Sequence, residues 1–270
     1  MIMQKPKGRS RLRVKLGKAC YGTLRKILWV AKRREFAKMR QKTPLNDCCA
    51  AHKTPLRRKL KDVDMWMQEN KVVNLRLAVE KLDGILLRPG ETFSYWKLIG
   101  NPSKRKGYLP GMILRNGKLE AGVGGGLCQL SNLNFYMAIH TPLTVVERHR
   151  HGYDVFPDAD RKQPFGSGAP CSYPHCDLML RNDTDDTYQL RVRVGEEYLE
   201  GEWRVSSAPQ YRYEIEERRH EMRGEYWGGY TRQNEIWQKE FDLAGHLLQE
   251  RLAVKNSAVM MYSPFLEEKK

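Results

Sequence analysis

A cysteine that follows three glycines and opens an apolar run is the residue best placed to do chemistry in this chain. The stretch reads Val123-Gly124-Gly125-Gly126-Leu127-Cys128-Gln129-Leu130-Ser131. Residues 128–139 carry a helical apolar pattern, which puts Cys128 at a helix N-terminus. Unpaired N–H groups and a partial positive charge there favour thiolate. Glycines let the backbone turn sharply and come close to a ligand. Further on, Glu147-Arg148-His149-Arg150-His151 continues the strand-like run Thr144-Val145-Val146. Alternation along a strand would turn Glu147, His149 and His151 to one face and Arg148 and Arg150 to the other. A thiol, an imidazole and an acid that fixes the imidazole tautomer are the parts of an activated cysteine nucleophile. Cys128 is the candidate nucleophile, His149 or His151 the base, and Asp160 or Asp177 the orienting acid. Backbone N–H groups of residues 126–129 would receive an oxyanion, with Gln129 as a side-chain donor. The competing reading is packing, because free cysteines are among the most buried residues and glycines also let helices approach closely.

Around these residues the pattern is α+β: helices at the front, a central helix bearing Cys128, and an antiparallel sheet in the C-terminal half. Leu16, Cys20, Leu24, Ile27 and Leu28, Ala31 and then Phe36 and Met39 fall near helical spacing, opposite a face of Lys15, Lys18, Lys26, Arg33 and Arg40. Thr43-Pro44 and Lys53-Thr54-Pro55 break the chain. A second helix runs through Val72, Leu75, Val79 and Leu82 and stops at Asp83-Gly84. Glu91 to Trp96 reads as a short aromatic strand. Asn116-Gly117 between two apolar runs is a strong hairpin signal. Residues 158–174 form a long Gly/Pro/Ser/Asp-rich loop, and strands are expected at 178–180, 188–194, 198–205, about 211–221 and about 230–240. The expected divisions are a basic helical arm at 1–61, partly disordered, an α+β core at 62–205 and a β-rich extension at 206–270.

Charge is concentrated at one end. Residues 1–61 hold 20 Lys/Arg against Glu35 and Asp47, a net of +18, so the remainder of this +16 chain is close to neutral at −2. A basic amphipathic arm suits an anionic membrane surface through residues 1–42. Nucleic acid is the weaker partner, since no binding motif accompanies the charge. No run approaches the ~18–20 apolar residues of a membrane span, and no secretory signal is legible, so the expected location is the cytoplasm or the inner membrane face. The six cysteines would there be reduced. Their spacing fits no zinc signature, and neither metal nor cofactor is expected.

Three blocks together are distinctive: Arg88-Pro89-Gly90-Glu91-Thr92-Phe93-Ser94, the glycine–cysteine stretch through Ser131, and Glu147 to His151. In order and spacing they resemble the VanW family, extended by Phe156 to Arg161 and Asp177 to Asn182 over roughly residues 70–205. Asn132 stands where the family often carries a second hydroxyl, so no role for that group is carried over. The resemblance implies a link to vancomycin resistance and to peptide-like or anionic cell-wall precursors. A cysteine-dependent acyl-transfer or amide-hydrolysing enzyme is one expectation. Another is a non-catalytic precursor-binding module lined by Gly124, Gly125, Gly126, Gln129, Ser131, Glu147 and Arg148, arginine being suited to carboxylate and phosphate. A third is a peripheral membrane accessory protein using the arm.

Overall fold

The structure is a computed structural model and describes residues 10–57, 64–115, 117–155 and 163–263. Its elements run α1 (Arg11–Ala31), β1 (Asp47–Pro55), α2 (Met65–Leu82), β2 (Leu86–Leu87), β3 (Thr92–Ser94), α3 (Tyr95–Ile99), β4 (Pro110–Arg115), β5 (Lys118–Val123), α4 (Cys128–Ala138), β6 (Thr144–Glu147), β7 (Tyr153–Asp154), β8 (Met179–Arg181), β9 (Tyr188–Val194), β10 (Tyr198–Val205), β11 (Arg212–Gly224), β12 (Tyr230–Phe241) and β13 (Leu247–Met260).

The core forms where two helices cover one sheet. Val72, Leu75, Ala78 and Leu82 recur at helical spacing and are the buried stripe of α2. The sheet is ordered β1-β10-β9-β2, with β1, β10 and β9 pairing antiparallel. Strict alternation along β10 turns Leu199, Trp203 and Val205 inward, and Leu190 and Val192 of β9 join them. α2 packs on β9, and α4 packs on β1 and β10. Asp83, just past α2, accepts hydrogen bonds from the Arg191 side chain and the Val192 N–H, tying the helix end to β9. A second sheet, β3-β8-β6, lies beside this core, and Phe93 meets Trp203 edge-on at 6.0 Å between ring centres.

The α+β expectation holds, with Cys128 as the first residue of α4. Three elements differ from the sequence reading. Residues 47–55, read as part of a broken arm, form β1 and pair with β10 along its length. β1 lies at a sheet edge, mostly uncovered and ending at Pro55, so it lacks the apolar alternation that marks an interior strand. Tyr95 and Trp96 belong to α3 rather than to a strand, because Ser94 caps that helix by accepting from the Lys97 N–H. The C-terminal extension has three long strands, β11-β12-β13, and β7 adds to β13 in parallel. Ile236 and Val254 enter the main core, and the Gln238 amide donates to the Ile139 and Thr141 carbonyls at 2.8 and 2.9 Å.

Leu190 is fully buried at the centre of this arrangement. Leu190→Ala should cost about 3 kcal/mol of unfolding free energy, read from the urea midpoint at unchanged slope. A loss below about 1 kcal/mol would mean that the β9 face is not the core.

Candidate thiol site

The site is assembled around residues 171–177, the segment that leads into β8. Ser172 and Cys176 exchange both backbone hydrogen bonds and close a tight loop over Tyr173, Pro174 and His175. α4 brings Cys128 to one side of this segment, and β6, which pairs with β8, brings Glu147 to the other.

Cys128 lies against Cys171. The two sulfurs are 3.7 Å apart, the Cys171 thiol donates to Cys128, and the Cys171 N–H reaches the Cys128 Sγ at 3.4 Å. The protonated Cys128 thiol donates in turn to the Cys171 carbonyl at 3.4 Å. The bond from the Cys171 thiol, aided by the N–H groups of Cys171 and of Cys128 itself, outweighs burial and brings the Cys128 thiol down to about 7. Burial and the neighbouring sulfur drive the Cys171 thiol the opposite way. Both residues keep part of their surface open to solvent.

Among the described residues Cys128 pairs with Cys171 and hydrogen-bonds to no histidine. His149 instead hydrogen-bonds to Cys176 and to Glu147, with Nε2 2.9 Å from Glu147 Oε1. Those two bonds, Cys176 first, raise the imidazole to about 10. Glu147 is gripped by Arg25 of α1 through two parallel bonds of 2.7 Å and accepts from the Asp177 N–H at 3.1 Å. Burial opposes its charge, yet His149 and Arg25 hold the carboxyl below the usual range. A cysteine, a histidine and a glutamate thus form a chain of contacts, with Arg25 closing its far end.

The remaining sequence candidates fall as follows. β6 ends at Glu147, so Glu147, His149 and His151 do not share a strand face. His151 is exposed, within electrostatic range of Arg148 and Asp154. Asp160 lies outside the described residues. Asp177 is buried, accepting from Ser94 Oγ at 2.5 Å and from the Trp96 and Leu178 N–H groups at 2.9 Å, and burial lifts it to about 6. Its carboxylate therefore pins the start of α3, and only its backbone touches the chain that holds His149.

The polar groups proposed to line a ligand site are largely engaged inside the molecule. The Gln129 amide donates to Thr54 Oγ1 and the Pro55 carbonyl on β1. Ser131 Oγ donates to the Ala169 carbonyl at 2.6 Å. Arg148 donates to the Gly166 and Gly168 carbonyls and stacks over Phe135. The N–H groups of Gly124, Gly125 and Gly126 donate to the carbonyls of Leu109, Gly122 and Met112. A Cβ on Gly125 would fall on the Gly111 backbone, and Gly126, at φ +90°, leaves room only for the Lys71 stem. The glycines thus let β4 and α2 close over the approach to α4.

Cys171, Cys176 and Arg25 are the participants that the sequence reading missed. Cys171 and Cys176 sit in or just after a loop that follows no period, and Arg25 lies in the arm far upstream. Only the loop's unusual length hinted at a role.

A mixed fold with a cysteine-rich site at the start of a glycine-preceded helix defines the class of this protein. A family model described as VanW like protein matches residues 70–204, half of the chain, which belongs to the VanW family. The chain is 44% identical over 152 residues to the Vancomycin B-type resistance protein VanW of Enterococcus faecalis (strain ATCC 700802 / V583), covering 56% of this chain and 55% of that one. It is also 30% identical over 120 residues to the uncharacterized protein YoaR of Bacillus subtilis (strain 168), covering 44% and 38%. The chain therefore spans about half or less of the length of these curated relatives. No solved structure matches it.

His149 should stay protonated through neutral pH. Its proton affinity is raised on folding, so the stability it contributes is complete below the ordinary histidine value and is lost as pH climbs through about 10. A histidine-resolved NMR titration should show no deprotonation of His149 between about pH 6 and 8, and Glu147→Gln should move its midpoint back toward ~6.5. A wild-type midpoint already near ~6.5 would contradict the pairing.

Proposed function

We propose that this protein is associated with vancomycin-type resistance and acts on peptide-like or anionic cell-wall precursors by cysteine-dependent acyl transfer or amide cleavage. Cys128 is the nucleophile in this reading. The observation that carries it is a thiol at a helix start, in a residue that is not fully buried, brought to about 7 by three donors. At neutral pH a large fraction is thiolate, so attack needs no separate base. The sulfur attacks a carbonyl carbon, a C–S bond forms and the C–N bond breaks. The departing amine takes a proton from the Cys171 thiol or the His149 imidazolium, both held beside residues 171–177. Water or a second amine then releases the thioester.

The likeness to the Enterococcus faecalis resistance protein supports the precursor class. The chain's peptide-like or anionic substrate would be met in the cytoplasm, at the inner face of the membrane. A second reading places the nucleophile at Cys176, favoured by its hydrogen bond to a charged imidazole.

Single-turnover reaction with a synthetic stem pentapeptide, followed by intact-mass detection of a thioester, tests the proposal. Cys128→Ala should lower the rate at least about a thousandfold with the thermal midpoint within a few degrees of wild type. Full activity in Cys128→Ala with loss in Cys176→Ala would transfer the role to Cys176. Tight precursor binding with no thioester in wild type, retained in Cys128→Ser, would replace catalysis with binding alone.

A further inference from the structure

α1 is docked by a narrow face. Gly22 and Trp29 are buried, Arg25 reaches Glu147, and Leu28 is half-buried. The apolar row read from the sequence is not this face. Leu12, Leu16, Tyr21, Leu24, Ile27 and Val30 are each more than half exposed. At 3.6 residues per turn, Leu12, Leu16, Leu24, Ile27 and Val30 fall within an arc of about 120°, centred on the side of the helix away from Gly22 and Trp29. An apolar stripe of this length on a water-facing surface is costly unless something covers it.

The charges beside the stripe indicate what that is. Between Arg11 and Ala31 there are six basic residues and no acidic one, and Lys32, Arg33 and Arg34 follow directly. Lys15 and Lys26 lie along one border of the stripe, and Arg13 stands within it. No helix among the described residues is long and apolar enough to cross a membrane. We infer that α1 lies flat on an anionic lipid surface, its Leu/Ile/Val row among the acyl chains and its lysines and arginines at the headgroup phosphates. Long cationic side chains reach from the edge of an apolar face to the headgroup level, which suits Lys15 and Lys26. A second copy of the chain is a poor occupant, because two such helices would bring like charges together. A nucleic acid would leave the apolar row uncovered.

The docked face joins this surface to the thiol site. Arg25, on the protein side of α1, holds Glu147 and through it His149, so the site lies immediately beneath the helix. A groove of about 740 Å³ lies between α1 and residues 172–176, lined by Lys18 and Tyr21 of the helix and by Ser172, His175 and Cys176. A helix seated on the bilayer would bring that groove to the depth at which lipid-linked anionic molecules are displayed.

The test uses the full chain with vesicles of phosphatidylcholine containing one third phosphatidylglycerol, and with vesicles of phosphatidylcholine alone. The protein should sediment with the first and not the second at physiological salt. The double substitution Leu16→Glu and Ile27→Glu should reduce the bound fraction at least about tenfold, with the circular dichroism and thermal midpoint of the free protein unchanged. Both positions are exposed, so the variant tests the surface rather than the fold. Absence of sedimentation with anionic vesicles overturns the inference. So does binding that is undiminished in the double variant, which would reduce the contact to charge alone. Concentration-dependent dimerisation that the variant abolishes would assign the face to a second copy instead. None of these outcomes depends on the activity of Cys128.

Discussion

A thiolate that is partly withdrawn from water has to be held by donors, and this requirement shapes the site more than any other. Cys128 gains one N–H from being the first residue of α4, and its other two donors come from Cys171. Cys171 is 43 residues away in sequence, so the loop that carries it must be fixed in place. Ser131 and Asn132 of the same helix fix it: Ser131 donates to the Ala169 carbonyl, and Asn132 accepts the Ala169 N–H at 2.8 Å. α4 thus presents the sulfur and also positions the segment that stabilises its charge. Ser131, expected to line a ligand site, is tied in this structure to that loop.

The same logic governs the other side of residues 171–177. A charged imidazole at His149 needs a neighbouring anion, and the Glu147 carboxylate supplies it, with the Cys176 side chain beside the ring. Glu147 would be costly as a half-buried carboxylate without Arg25, whose planar fork matches both oxygens. α1 is therefore more than a basic arm. Its inward side completes the charge balance of the site, while its outward side remains apolar. Asp177 closes the arrangement, its N–H on Glu147 and its carboxylate on the cap of α3.

Features encoded over short distances were legible in the sequence. The start of α4 follows from glycines before an apolar run, the end of α2 from Asp83-Gly84, and the β4–β5 hairpin from the turn signal at Gly117, whose φ is +78°. Cys128 was singled out by the same local reasoning. The partner of each group was not legible, because it depends on long-range packing. Two histidines at alternate positions suggested a shared strand face, but β6 ends at Glu147 and only His149 turns toward the site. Asp177 looked like an orienting acid because of its type, whereas its buried carboxylate accepts from Ser94 and the Trp96 N–H and holds the start of α3. β1 was hidden because an edge strand can be polar and still pair fully.

The central claim is that Cys171 keeps the Cys128 thiol ionised near neutrality, and the pH dependence of Cys128 alkylation measures this directly. Followed by peptide mass mapping with iodoacetamide, the wild-type rate should inflect near 7, and Cys171→Ala should push that inflection up toward the ordinary ~8.5 of a free thiol. An inflection at or above ~8.5 in the wild type, unmoved by Cys171→Ala, would contradict the account.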